Sequence, residues 1–420
     1  MIALSPVTKL LLAYGVSASG STMYRLAVPL AIYQNTQSAF LMSVAYASSV
    51  IPIILFSLFG GVAADRGNLK KILVVGDILS ALIAIVLCIS LYWHLNVFVV
   101  ISLVFLLGCV NAVYAPSFFA AVPAITAKEA IPRTNAIMRV IDGVFQTLGP
   151  VMGGLIVAFS SPEAVFLFDA TTFLVSTVII LSIKEQRLSA SERTVERKSI
   201  ISDIKDGLLL IWNTPFLRLG LRLFIITNFS FHMFFGSIVF YLSSTLQLSS
   251  SYTGIIIATG GAGAAVAAYH SPKLSKFATP GRIISISTIV AGVAMLAFAL
   301  TDETILIALS LAVILSSGAI NTVVFISFTQ QIVSSAYIGR VGATNRLVGI
   351  SLVPIGAMAG GAATAMFGFV EVAMVCAALR MLIGLVSILT PSFVMPTTAS
   401  QLPRTEDRGT CRRRQNGEQH

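Results

Sequence analysis

The residues able to do chemistry in this chain are few, and most lie inside apolar stretches. Asp77, Asp142 and Asp169 are carboxylates set among Leu, Ile, Val, Ala and Phe. Ionisable groups in such surroundings are costly and usually face an interior or a water-filled path, so each marks a candidate site. A carboxylate at the edge of water can load and release a proton. Asp142 is the leading case, because Arg139 stands three residues earlier on the same helical face and can pair with it. Making and breaking an Arg139–Asp142 pair would couple a proton to a change of shape. Asp77 and Asp169 also read as structural charges that hold helices in register. Asp142, Arg139, Asp77 and Asp169 are thus the candidates for coupling to a proton.

Arg25 is the deepest charge in the first apolar run and precedes Pro29 by about one helical turn. Arg346 and Arg380 are the rough equivalents in number, on the second half, of Asp77 and Asp169. Tyr24, Asn111, Gln146, Asn228, His232 and Asn321 are the polar residues that, with Arg25, would line a lumen. The run from Phe229 to Phe240 offers an aromatic wall suited to hydrophobic ligands. Catalytic groupings are not found. There is no G-x-x-x-x-G-K-(S/T), no H-E-x-x-H and no CxxC among Cys88, Cys109, Cys376 and Cys411. The expectation is therefore no enzyme, no metal and no cofactor.

The elements that must hold these residues are set by composition. Of 420 residues, 56% are hydrophobic and only 10% charged, where a soluble chain carries about 25% charged residues. This excludes a water-soluble enzyme, a disordered chain and a nucleic-acid-binding domain, despite the net charge of +10. About 20 apolar residues are needed to cross a bilayer. Such runs fall near 8–33, 40–64, 71–92, 96–119, 134–158 and 163–184, then near 216–245, 251–270, 281–300, 303–330, 339–367 and 369–392. The first run reads as a retained helix rather than a cleaved leader.

Charge tests that count of twelve. The loops at 66–71, 128–133, 184–205 and 273–282, with Arg340, hold the lysines and arginines. The loops at 34–40, 92–97, 160–163, 246–250, 301–304 and 368–371 hold none. Positive loops stay in the cytoplasm, so both termini are expected there, with the chain in the plasma (inner) membrane. Four regions follow: a six-helix bundle at 1–184, a cytoplasmic linker at 185–215, a second six-helix bundle at 216–392 and a disordered tail at 393–420. Within the linker, Ile201 to Trp212 is amphipathic, with Ile204, Leu208 and Ile211 on one face, and is expected to lie along the interface. The bundles repeat: Asn111 and Asn321 differ by 210 positions, as do Thr134-Asn135 and Thr344-Asn345. Two like halves suggest a central path with its ligand near mid-membrane.

Three motifs carry a resemblance. The loop Gly60-Gly61-Val62-Ala63-Ala64-Asp65-Arg66-Gly67-Asn68-Leu69-Lys70-Lys71 resembles the G-x-x-x-D-R-x-G-R-K loop of the major facilitator superfamily, departing from it at Gly67-Asn68-Leu69. The resemblance implies a gating role for Gly61, Asp65, Arg66, Lys70 and Lys71, with Asp65 and Arg66 latching one state. Gly149-Pro150-Val151-Met152-Gly153-Gly154 looks like that superfamily's antiporter motif, which implies export and a role for Gly149, Pro150, Gly153 and Gly154 in limiting leakage. Phe166 to Leu174, and Asp206-Gly207-Leu208 to Arg218, are similar to segments of its third drug:proton antiporter family, which includes macrolide-type efflux proteins and the enterobactin exporter. The fourth run lacks the arginine that many proton-coupled exporters carry there, so their proton route does not transfer directly. Arg139 could take that part.

The fold expected is all-α, with twelve transmembrane helices in two pseudo-symmetric bundles. The function expected is proton-coupled export of small hydrophobic compounds, a macrolide or another drug, by alternating access and as a monomer. Export of an endogenous metabolite such as a siderophore is the second reading. A transporter-fold receptor without net flux is the third.

Overall fold

The computed structural model describes residues 5–184, 200–333 and 335–394. Long helices dominate them, and no strand occurs among the described residues. The first half comprises α1 (Pro6–Thr36), α2 (Ala39–Arg66), α3 (Leu69–Tyr92), α4 (Val97–Ile125), α5 (Ile131–Phe159) and α6 (Pro162–Leu181). After α7 (Ile200–Asn213), the second half follows as α8 (Pro215–Phe235), α9 (Ile238–Phe240), α10 (Ser250–Leu274), α11 (Pro280–Ala299), α12 (Thr304–Ile332), α13 (Ser335–Phe367), α14 (Phe369–Ile388) and the short α15 (Pro391–Val394).

Local sequence explains where the helices begin. Ser5, Ser38, Asn68 and Ser249 cap α1, α2, α3 and α10, each side chain accepting from the amide of the residue three further on. Proline in the first turn starts α6, α8 and α11, where its missing N–H costs nothing.

Eleven spans among the described residues are long and apolar enough to cross a bilayer. The twelfth expected crossing, α1, is 31 residues long but is striped with Ser17, Ser19, Ser21, Thr22 and Arg25, which lowers its apolarity. It packs inside its half, against α5 and α6. The seventh crossing is not one continuous helix. Gly236 and Ser237 turn between α8 and α9, and Tyr241–Thr245 is π-helical.

Packing divides the molecule by depth. One large apolar cluster joins both halves at the end where α1 finishes: Met23, Leu26, Leu30, Met42 and Phe166 from the first half, with Phe234, Ile238, Phe298, Ile307 and Phe369 from the second. At the opposite, basic end there are two separate clusters. Leu10, Leu73, Phe118 and Met138 belong to one half, and Ile211, Phe216, Val341 and Phe393 to the other. The halves are thus sealed together at one end and apart at the other. The seams are α2 against α13 and α5 against α10.

Two expectations need correction. In α7, Ile211 is buried but Leu208 is 43% exposed. The inward face runs through Gly207 and Ile211, because Gly207 sits against the backbone of Arg340 and the hydroxyl of Thr344. Ile204 has a side chain outside the described set. The tail expected from 393 starts later, because Phe393 is fully buried and stacks on Phe216 at 4.9 Å. The remainder of that tail, and 185–199 of the linker, lie outside the described residues.

Candidate functional site

A cavity of about 230 Å³ opens at mid-depth, and every residue lining it belongs to the first half. α1 contributes a polar stripe at helical spacing, Tyr14, Ser17, Ser21 and Arg25. α4 contributes Asn111, Tyr114 and Phe118, and α5 contributes Asp142, Phe145 and Gln146. Ser80 of α3 and Phe173 of α6 close the back. Of the expected lumen residues, Tyr24, Arg25, Asn111 and Gln146 therefore meet around Asp142. Tyr14 and Tyr114 were not anticipated. The signal for Tyr14 was the three- and four-residue spacing of polar side chains along α1.

Asp142 does not pair with Arg139. The Tyr14 hydroxyl donates to Asp142 Oδ1 at 2.5 Å, while Arg139 is exposed and has no ion pair among the described residues. Three residues advance a helix by 300° rather than a full turn. Asp142 reaches Tyr14 of α1, and Arg139 stays exposed beside it.

Asp77 and Asp169 stand behind the cavity and do not line it. Both are fully buried. Ser176 of α6 donates to Asp77 Oδ2 at 2.6 Å, tying α3 to α6. Asp77 Oδ1 and the neighbouring buried Tyr114 hydroxyl have no hydrogen-bond partner among the described residues. Asp169 has neither oxygen bonded, and lies where Gly20 lets α1 press against α6.

The other three lumen candidates are placed elsewhere. Asn321 is held by α11, accepting from Ser287 and donating to Thr288 Oγ1 at 3.1 Å. Asn228 donates to Phe224 O of its own helix at 2.9 Å. His232 meets the Tyr46 hydroxyl at 3.4 Å across the α2–α8 contact between the halves. Phe234, expected in an aromatic wall, is fully buried against Phe298 and Phe369. Among the described residues of the second half, the buried charge is Arg380. It donates from Nε to Ser230 Oγ at 3.0 Å and from Nη2 to Thr227 O at 2.7 Å.

The two glycine-bearing motifs sit at helix contacts. In the loop motif, Gly60 rather than Gly61 makes the close approach, since a Cβ there would strike Ala112 of α4 while one at Gly61 meets nothing within 4 Å. Asp65 and Lys71 are exposed, and Asp65 has no partner among the described residues. The Arg66 side chain lies outside the described set. Lys70 instead caps α6, donating to Leu181 O at 2.9 Å and Ile183 O at 2.5 Å. In the second motif, Gly149 and Gly153 admit Thr22 and Met23 of α1, Pro150 lies inside α5, and Gly154 abuts Ser250 and Gly254 of α10 across the seam.

Comparison with known proteins places these features. The family model described as Major Facilitator Superfamily matches residues 10–351. The chain is similar to an uncharacterized MFS-type transporter, YfiS, of Bacillus subtilis (strain 168), 26% identical over 258 residues, covering 60% of each chain. It is similar to the multidrug efflux pump Tap of Mycolicibacterium fortuitum, 24% identical over 220 residues, 51% of this chain and 54% of that one. Macrolide efflux protein A of Streptococcus pyogenes is 20% identical over 197 residues, 47% of this chain and 48% of that one. The matches thus span about half to three-fifths of those relatives' lengths. In fold, the chain is similar to a mutant of nucleoside transporter NupG, with a TM-score of 0.73 at 12% identity over 91% of this chain and 98% of that one. A bacterial homologue of the iron transporter ferroportin, solved in an inward-facing state, gives a TM-score of 0.68 at 16% identity with the same coverage.

Proposed function

The chain belongs to the major facilitator superfamily, and from that premise we propose that it is a proton-driven exporter of small, mainly hydrophobic molecules. Membership makes it a transporter rather than an enzyme. Direction, coupling ion and substrate are the proposal's own content. One observation carries it: a mid-depth cavity whose wall presents one carboxylate, Asp142, held by the hydroxyl of Tyr14. A carboxylate so placed is open to water and bonded to another helix, so protonation weakens that bond and loosens α5 from α1. The names of the efflux relatives support export of drugs, and the sequence motif at Gly149 to Gly154 supports the outward direction.

The packing supports a working cycle. The halves are sealed at one end and separate at the basic end. Basic loops support a cytoplasmic position for that open end and for both termini. The resting shape is therefore open to the cytoplasm, and rocking about the α2–α13 and α5–α10 seams would expose the cavity on the other side. Asp65 and Arg66 are proposed to latch the alternate state. The protein is proposed to act as a monomer in the plasma membrane.

The test is a substrate panel in proteoliposomes carrying an imposed pH gradient. Cationic, neutral and anionic compounds are followed with and without a proton uncoupler. Uncoupler-sensitive movement of any member supports the reading. Flux that ignores the gradient, or binding without flux, sinks it.

A further inference from the structure

Arg25 is a cavity residue that the proton step does not use. At about 1.5 Å per residue it lies roughly 28 Å from the start of α1 and 16 Å from its end. Its place is therefore well inside the helix, not at either terminus. A guanidinium at that depth is costly unless it is paired or faces a watery cavity. Arg25 is exposed into the cavity and has no hydrogen-bond or ionic partner among the described residues.

No acid of the first half forms an ion pair with it among the described residues. Asp142 is the single carboxylate on the cavity wall, and the Tyr14 hydroxyl already holds it. Asp77 and Asp169 are fully buried behind the wall, beside Ser176 and Gly20. Arg139, exposed one turn before Asp142, adds a second positive charge on α5. Around Arg25 the wall supplies the Asn111 and Gln146 amides as donors, with Phe118 and Phe145 as apolar surface. The guanidinium fork matches a carboxylate in a bidentate fit, and does so best away from bulk water.

We propose that the molecule this cavity carries bears a carboxylate that docks on Arg25, with an apolar body packed against Phe118 and Phe145. The cavity volume of about 230 Å³ lies below the roughly 300–1,000 Å³ typical of drug-sized pockets. The part of the anion that enters the cavity is therefore small. The inference deepens the export reading and depends on it only for the movement of the ligand.

The experiment measures equilibrium binding to the purified full chain in lipid nanodiscs. Naphthoate, phenylbutyrate and decanoate are each compared with their own amide. The carboxylate of at least one pair is expected to bind about tenfold more tightly than its amide, the scale of one charge-assisted contact. R25Q should erase that ratio while leaving amide binding in place, and R25K should retain part of it. The wild-type ratio stands without any variant, and an unchanged gel-filtration profile shows that the variants remain folded. Amides binding as well as their acids in all three pairs would overturn the proposal. So would an R25Q protein that keeps the preference. If cationic or neutral members of the panel are exported and no carboxylate shows a preference, export stands and the anion site falls. A carboxylate preference that depends on Arg25 without any flux supports the site and removes the export reading.

Discussion

The two halves of the molecule share a helical plan but differ in what they keep wet. In the first half, α1, α4 and α5 turn Tyr14, Arg25, Asn111, Asp142 and Gln146 toward one cavity. In the second, the corresponding polar groups are consumed by the fold. Arg380 is bonded to Ser230 and Thr227, Asn321 to Ser287 and Thr288. The helix junctions there are packed with aromatic rings, with Tyr241 stacked on Phe369 at 4.4 Å. A buried polar group that has its hydrogen bonds stabilises one packing, whereas one facing water remains free to change partner. Open polar groups are thus concentrated in one half, and those of the other are spent on its own packing.

That contrast is open to direct attack. The largest effect is expected from Asp142→Asn. Proton-driven transport should fall at least about 100-fold in proteoliposomes, the scale of losing a general acid–base group, with the gel-filtration profile unchanged. Normal gradient-driven flux in this variant would place the coupling chemistry elsewhere. Next is Gly154→Val, at the α5–α10 seam. Its side chain would strike the Ser250 backbone, so the sealed end should open. Cysteine-labelling at that end should rise several-fold while transport is lost.

Tyr14→Phe is expected to act more mildly. It removes the hydroxyl bonded to Asp142, a contact worth about 1.5–3 kcal/mol, so proton-driven flux should drop about tenfold or more while downhill exchange changes less. Equal loss in both assays would mark Tyr14 as a packing residue. Smallest of all should be Arg380→Met in the second half. Ser230 also donates to Thr227 O, so removing the guanidinium strands no charge and the side-chain volume is nearly kept. Transport within about threefold of wild type is expected, with a melting shift of a few degrees. A loss as large as that of Asp142→Asn would erase the distinction between the halves.

The sequence made the scaffold easy to read and the site only half so. Apolar runs and basic loops report span positions because the bilayer imposes both, and the family motifs agreed with them. Side-chain pairing is different, since it depends on neighbours from other helices. Arg139 and Asp142 share a helix, yet the partner of Asp142 is Tyr14, 128 residues away. Asn111 and Asn321 occupy matching positions in the repeat, but the first lines the cavity and the second is tied down by hydroxyls of α11. Lys70 read as part of a gate because its motif says so. Its reach to the end of α6 depends on how α3 lies beside α6, which spacing along one chain does not encode.

That reach has a mechanical consequence. Lys70 grips the carbonyls of Leu181 and Ile183, and Lys9 holds that of Ser182 at 3.1 Å. The chain thus departs for the second half from a post staked by α1 and α3, not from a fraying helix end. A tug on the tether there is shared at once by three helices. The end of the first half is thereby a fixed mooring, held by side chains from two helices other than its own.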